Sequence, residues 1–200
     1  MSSLRKEHFA RYLAVSTYID WQHPAVRARA MELSGDGDIY TTARQCFEFV
    51  RDNILHSGDF CKNPVTCKAS EVLEHGTGFC YAKSHLLAAL LRANGIPAGL
   101  CYQRLTIDND QPPYSLHGLN AVYLPDIGWY RIDARGVKPG VDAAFTPPVE
   151  KLAFTPMLAQ ERDLPEIWPE PLPEIILLLT TFTDYQDVLE NLPDLALVKQ

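Results

Sequence analysis

The segment from residue 76 to residue 97 constrains the fold more than any other part of the chain. Two glycines precede Cys80, and strong helix formers follow it. Four leucines at positions 86, 87, 90 and 91 give this helix a broad apolar face. Gly95 and Pro97 supply a helix stop. The pattern predicts a largely buried helix that carries Cys80 in its first turn.

The first turn of a helix is a favourable place for a reactive cysteine. Its backbone N–H groups lack intrahelical partners, and the positive end of the helix dipole stabilises a thiolate. The competing interpretation is a buried structural cysteine, because free cysteine is among the most buried residue types. Position alone leaves both interpretations of Cys80 open.

Length and composition indicate a globular protein. Two hundred residues are enough for one domain with a sizeable core, and 46% hydrophobic and 22% charged residues are ordinary values. The N-terminal residues do not resemble a signal peptide, and apolar runs such as residues 175–179 are far shorter than the ~20 residues of a membrane span. We therefore expect a cytoplasmic protein that does not bind a membrane.

The cysteines predict neither disulfides nor a metal site. There are five of them and no C-x-x-C pair, which favours reduced thiols over a zinc site. Two short acidic turns, 36–38 and 108–110, lack the regular ligand spacing of a calcium loop. We expect no metal and no cofactor.

The net charge of −7 is unevenly distributed. Acidic and basic residues balance over residues 1–149, whereas residues 150–200 hold 10 acidic and 3 basic side chains. The chain has no basic stripe of the kind that binds nucleic acid. We expect no nucleic-acid partner, and the oligomeric state stays open.

The chain divides into three segments. Residues 1–37 are expected to form a helical N-terminal extension, with a helical pattern over 4–33 that Pro24 divides in two. Residues 38–140 form the core, which begins with a helix at about 41–55 and a helical turn at 69–73. Residues 141–200 form a proline-rich acidic C-terminal extension that wraps the same domain.

Strands follow the cysteine helix. We predict them at 100–107, 117–124 and 128–133, with a loop at 108–113. The last two strands form an antiparallel hairpin across 125–127. In the C-terminal extension, we predict a strand at 174–182 and a short helix at 184–192.

A thiol nucleophile needs a base, and His117 is the best of six candidates because it begins a strand after a long polar loop. His85 lies about 500° around the helix from Cys80 at 3.6 residues per turn, so it points elsewhere. Two other histidines belong to the N-terminal extension. His56 and His75 stay open as alternatives near the helix start.

Asp133 is the candidate for the group that orients the base, since it ends the partner strand. Side chains alternate faces along a strand, so the length of the hairpin loop decides whether His117 and Asp133 share a face. A two-residue turn separates them, whereas a three-residue loop, 125–127, makes them diagonal neighbours on one face. A five-residue loop would place them directly opposite. Pro125 disfavours the tight turn.

These residues, in this order, closely resemble the core of the transglutaminase-like superfamily. The resemblance rests on Gly78-Phe79-Cys80 opening a helix, the segment from Leu90 to Ala98, His117, and Gly128-Trp129-Tyr130-Arg131-Ile132-Asp133. It covers roughly residues 40–137. The residues after the histidine, Gly118 and Leu119, depart from the family pattern, which often has a small residue followed by an aromatic one.

The resemblance implies an α+β, papain-like cysteine-proteinase fold in which the catalytic helix packs on an antiparallel sheet. It also implies a triad of Cys80 as nucleophile, His117 as base and Asp133 as orienting carboxylate. The Cys80 backbone N–H would bind the oxyanion, and Tyr81 and Gln103 are candidates for a second oxyanion donor.

On this basis we expect a cysteine hydrolase or acyltransferase, a peptidase or amidase that acts on a peptide or protein amide through a thioacyl intermediate. Hydrolysis is favoured because water is the only acceptor it needs. Two alternatives stay open, a protein cross-linking transglutaminase and a non-catalytic binding module that retains the fold.

Overall fold

The computed structural model describes residues 9–35, 37–108, 111–136, 138 and 140–194. The helices are α1 (Pro24–Glu32), α2 (Ile39–Asn53), α3 (Ala69–His75), α4 (Cys80–Ala93), α5 (Pro173–Thr181) and α6 (Tyr185–Glu190). The strands are β1 (Leu55–His56), β2 (Thr77–Gly78), β3 (Ala98–Asp108), β4 (Gln111–Leu124), β5 (Gly128–Ile132) and β6 (Arg162–Asp163).

A four-stranded antiparallel sheet lies against the helices, with the strand order β5-β4-β3-β6. β1 and β2 form a separate parallel pair just ahead of α4. This arrangement confirms the predicted α+β fold, in which the cysteine helix packs on an antiparallel sheet. Within the described part of the chain, no helix has the length and apolar character that a membrane span requires.

Helix α4 is the centre of the molecule. It contacts α1, α2, α3, β3 and β4. Every residue from Cys80 to Arg92 is buried, as expected of a helix that is enclosed on all sides. Its polar side chains have backbone partners; the His85 Nδ1, for example, lies 2.7 Å from the Cys67 carbonyl oxygen. These bonds offset part of the cost of burying polar groups.

The β4–β5 hairpin has the three-residue loop that places the two candidate side chains on one face. Leu124 pairs with Gly128 and Asn120 with Ile132. Continuing this register by one position sets Asp133 opposite Leu119, two residues from His117. The expected loop at 125–127 is therefore confirmed.

Three sequence predictions about local structure are wrong. Residues 111–113 belong to β4 and are not a loop, because β4 continues to pair with β3 beyond Tyr114. Residues 173–181 form helix α5 and not a strand; its buried residues, at 175, 178 and 179, follow helical spacing. Residues 11–23 form turns and irregular backbone, so the N-terminal helical prediction is confirmed only at residues 9–10 and over Pro24–Glu32, while residues 4–8 lie outside the described part of the chain.

The C-terminal extension packs on the rest of the structure. β6 pairs with the edge of β3, and Trp168 forms an isolated bridge to Leu100. Phe145 and Ile175 belong to the same hydrophobic cluster as the residues of α4. Three acidic side chains of the extension pair with arginines of the sheet: Asp194 with Arg104, and Glu150 and Asp163 with Arg131. Part of the acidic excess of the extension thus attracts it to the sheet.

Candidate active site

Cys80 is the first residue of α4, where the extended backbone of Phe79 turns into the helix. The first intrahelical hydrogen bond runs from the Lys83 N–H to the Phe79 carbonyl, so the N–H groups of Cys80 and Tyr81 lie ahead of it. The cysteine is 8% exposed. Its sulfur therefore lies at the positive end of a fully enclosed helix.

Gly118 allows β4 to approach the start of α4 closely. Its N–H points to the Cys80 sulfur, with an N–S distance of 3.5 Å. A Cβ atom at this position would lie 2.9 Å from Cδ1 and 3.1 Å from Cα of Tyr81. Only glycine fits this approach without displacing the helix, which explains why glycine follows His117 in this chain.

His117 lies between the sulfur and the carboxylate. Its Nε2 is 2.8 Å from Oδ2 of Asp133, and the nearby Cys80 sulfur raises the pKa of its ring. Because Nε2 is engaged by the carboxylate, Nδ1 is the ring nitrogen left for the sulfur. The structure thus brings the three predicted residues together although they come from a helix, a strand and the end of another strand.

Asp133 is held by three donors. Its Oδ1 accepts the Arg135 N–H at 3.1 Å, and its Oδ2 accepts the Ala153 N–H at 3.2 Å in addition to the bond with His117. Burial alone would raise the pKa of this carboxyl, but the charge and hydrogen bond of His117, with these two N–H groups, lower it below its ordinary value. Asp133 is therefore a fixed anion.

The charge of Asp133 acts on His117. Burial alone would lower the pKa of this imidazole, but the Asp133 carboxylate, the Cys80 sulfur and the hydrogen bonds to both raise it to about 10. His117 is only 5% exposed, so water screens these interactions weakly. At neutral pH the site favours an imidazolium next to the sulfur.

The two side chains suggested as further oxyanion donors make other bonds. The Tyr81 hydroxyl donates to the Leu116 carbonyl. The Gln103 Nε2 donates to the Phe154 carbonyl at 3.3 Å and to Oδ1 of Asp163 at 2.8 Å. Neither side chain has an N–H or O–H left over in this arrangement.

The other described histidines are exposed or have partners other than the Cys80 sulfur. His85 contacts the Cys67 carbonyl on another side of α4, as its angle around the helix predicted. His75 is exposed at the end of α3, and His23 is exposed just before α1. His8 lies outside the described residues.

His56 borders the triad. Its ring packs edge-on against Phe79, and its Nδ1 accepts the Asp59 N–H at 3.3 Å. Burial and the nearby Arg135 charge hold the pKa of His56 well below its ordinary value, although Asp59 opposes them. A neutral imidazole therefore lies near the charged one.

Lys83 was missed by the sequence analysis. It lies one turn after Cys80, is 1% exposed, and donates its ammonium to the Ile54 carbonyl. Burial and the Arg135 charge lower its pKa to about 7, against the attraction of Asp133. A lysine within an apolar helical pattern was the available signal, because burying its ammonium requires a partner.

A cavity of about 250 Å³ lies near the triad, although Cys80, His117 and Asp133 do not line it. Two of its lining residues adjoin the triad: His56 lies near His117, and the Arg135 backbone N–H bonds Asp133. The Arg135 guanidinium makes a two-bond contact with the Asp59 carboxylate, at 2.6 and 3.0 Å. The lining consists of Arg51, Asp52, Ile54, Leu55, His56, Asp59, Phe60, Arg135 and Gly136.

Among the described residues, no group of three or more histidine, cysteine or acidic side chains is arranged to hold a metal ion. The five cysteines are free thiols, and four of them are buried. The expectation that the protein needs no metal or cofactor stays a prediction.

Two solved structures share this fold. One is the crystal structure of a "putative cysteine protease" from Cytophaga hutchinsonii, with a TM-score of 0.51 and 21% identity over 64% of this chain and 42% of that one. The other is the periplasmic domain of TgpA from Pseudomonas aeruginosa bound to ethylmercury, with a TM-score of 0.50 and 22% identity over 64% of this chain and 49% of that one. This chain thus covers less than half the length of each of these two structures. A search of curated proteins found no match.

The family comparison covers the part of the chain that carries the candidate site. Residues 27–134 match the model of the Transglutaminase-like superfamily. The matched region is more than half of the 200 residues, and it contains Cys80, His117 and Asp133. The protein therefore belongs to the transglutaminase-like superfamily.

Proposed function

We propose that this protein is a thiol-dependent acyl-transfer enzyme that hydrolyses amide bonds through Cys80, His117 and Asp133. The observation that carries the proposal is the buried His117–Asp133 pair, with 2.8 Å between its atoms, beside the Cys80 sulfur, which the N–H of the next residue, Gly118, contacts at 3.5 Å. Structural ion pairs of this kind exist elsewhere in proteins. Here, however, the sulfur lies at a helix start, where a thiolate is stabilised.

The reaction has two steps. The Cys80 thiolate attacks the carbonyl carbon, the C–N bond breaks, and the His117 imidazolium gives its proton to the leaving amine. His117 then takes a proton from water while the water oxygen attacks the thioacyl carbon, the C–S bond breaks, the acid is released, and the Cys80 thiolate and His117 imidazolium are restored. Asp133 keeps the imidazole oriented throughout and stays ionised.

The oxyanion of each tetrahedral intermediate is assigned to the Cys80 backbone N–H at the start of α4. Tyr81 and Gln103 are less suited to this role, since their donors are engaged elsewhere. The near closure of the pair, with Cys80 8% and His117 5% exposed, supports water over a bulky amine as the acceptor.

A panel of peptide amides and esters tests this function, assayed with wild type and Cys80→Ala. The alanine variant should lose at least about a thousandfold in kcat/KM. Cys101→Ala is the matched control, since Cys101 is a buried thiol on β3, and it should retain activity. Addition of a primary amine distinguishes the classes: free acid as the main product supports hydrolysis, whereas the substituted amide supports cross-linking. Equal rates for wild type and Cys80→Ala would overturn the proposal.

A further inference from the structure

The family match ends at residue 134, yet two residues of the C-terminal extension, Ala153 and Phe154, contact the triad directly. We infer that residues 150–163, here called the strap, complete the catalytic machinery, with Phe154 as a positioning residue for His117 and the Ala153 N–H as a positioning group for Asp133. The inference rests on the proposed function of the triad and assigns a task to a segment outside the family core.

Both ends of the strap form ion pairs with the same side chain. Glu150 and Asp163 both pair with the Arg131 guanidinium, at 2.8 and 2.7 Å. Asp163 also accepts a hydrogen bond from Gln103, the residue opposite His117 on β3. Arg131 belongs to β5, the strand that leads to Asp133. The strap is therefore a closed loop fixed to the strand of the catalytic carboxylate.

Between its ends the strap reaches both members of the imidazole–carboxylate pair. The Phe154 ring meets the His117 ring edge-on, with 5.0 Å between centroids and an interplanar angle of 89°. The neighbouring Ala153 N–H donates to Oδ2 of Asp133, the same oxygen that His117 contacts. The Phe154 carbonyl accepts from Gln103, and Arg135 lies 5.5 Å from the Phe154 ring centroid.

These contacts have a chemical consequence. A ring packed edge-on against His117 restricts rotation of the imidazole and holds it on the Asp133 carboxylate, which favours the imidazolium and hence the thiolate. The burial that this ring adds acts against the charge, so the contribution assigned to Phe154 is the orientation of the imidazole. The charged and titratable groups around His117 are Asp133 after β5, Cys80 and Lys83 on α4, His56 on β1 and Arg135 in the loop after Asp133. Phe154 of the strap adds an apolar contact to this ring.

The test measures the rate of Cys80 alkylation by iodoacetamide against pH in the full chain. The plateau of this rate at high pH reports access to the sulfur, and the pH of its midpoint reports how readily the thiolate forms. A change in access is thereby distinguished from a change in thiolate formation. Phe154→Ala should move the midpoint to higher pH by about one unit, while Phe154→Tyr should restore it. Phe154→Leu keeps apolar bulk and should give an intermediate midpoint. It provides the same test if the alanine variant does not fold.

Phe145→Leu is the matched control. Phe145 is an aromatic residue of the same extension, but it packs on Phe47 and Tyr130. This variant should lose stability in urea without a change in the midpoint. An unchanged midpoint in Phe154→Leu and Phe154→Ala, with wild-type thiol reactive at pH 6, would overturn the inference alone. A wild-type thiol that does not react at pH 6 would overturn the proposed function and the inference together.

Discussion

The Gly118 N–H points at the Cys80 sulfur from 3.5 Å away, so the strand that carries the histidine meets the helix that carries the cysteine at the reactive atom. This contact needs a residue without a side chain at position 118, since a Cβ would lie 2.9 Å from the Tyr81 ring. The proximity of His117 to Cys80 therefore depends on one close approach of the β4 backbone to the start of α4.

Gly118→Ala should separate β4 from the start of α4. The added methyl meets Tyr81 Cα at 3.1 Å and its N at 3.3 Å, which are backbone atoms that cannot rotate away. We expect a loss of about 1–3 kcal/mol in the free energy of unfolding, together with slower alkylation of Cys80 at pH 6. Urea denaturation and mass-spectrometric mapping of the alkylated cysteine measure the two effects. Wild-type stability and wild-type reactivity would show that the approach is not tight.

Asp133→Asn should remove the anion that holds the proton on His117. The pKa of His117 is raised to about 10 against the effect of burial, and Asp133 supplies the largest charge interaction in that direction. We expect the wild-type ring to remain an imidazolium at pH 8 and the ring of the variant to be neutral there. Nitrogen-15 chemical shifts of the histidine side chains measure this directly. A neutral wild-type ring at pH 8 would contradict the prediction.

The triad was predicted from the resemblance to the superfamily, and local patterns supported it. Helix-start chemistry made Cys80 a candidate, and an odd hairpin loop allowed His117 and Asp133 to share a face. The order of these motifs carried the resemblance to the superfamily. The α+β fold followed from the same elements.

The contacts across the site could not be predicted. Lys83 and Phe154 reach the triad only through tertiary packing, and no local pattern links residue 154 to residue 117. Helix α5 was mistaken for a strand because a short apolar run has no clear period. Its proline at the first helical position was the better signal.

His85 should make stability depend on pH below neutrality. Burial lowers its pKa to about 4, with a smaller contribution in the same direction from the Arg92 charge, whereas the hydrogen bond to the Cys67 carbonyl acts to raise it. Between the folded value of about 4 and the ordinary value of 6.5, the unfolded chain binds a proton that the folded chain does not, so stability is fully present above 6.5 and is lost as pH falls toward 4.

The test compares the wild type with His85→Leu in urea at several pH values. The wild type should gain stability over the variant as pH rises through this interval, by at most about 1.4 kcal/mol per pH unit. A stability difference that stays constant from pH 4 to 7 would contradict this prediction.

Lys83 should make the stability of the fold depend on pH above neutrality. Its pKa of about 7 in the fold lies below the ordinary 10.5, so the wild type carries the cost of a buried ammonium below pH 7 and loses that cost as the pH rises toward 10.5. Lys83→Met keeps a chain of similar length without the charge. We expect the stability of the variant relative to the wild type to be greatest near pH 6 and to decline steadily toward pH 10, measured by urea denaturation. A difference that does not change with pH would mean that the amine is not desolvated.

The central claim, a reactive thiolate paired with an imidazolium, is tested most directly by iodoacetamide labelling at pH 6, mapped to each cysteine by mass spectrometry. Cys61 is exposed and serves as the internal reference thiol. The account predicts that Cys80 reacts at least about tenfold faster than Cys61, and that His117→Ala abolishes the difference. Labelling of Cys80 at or below the rate of Cys61, unaffected by His117→Ala, would contradict it.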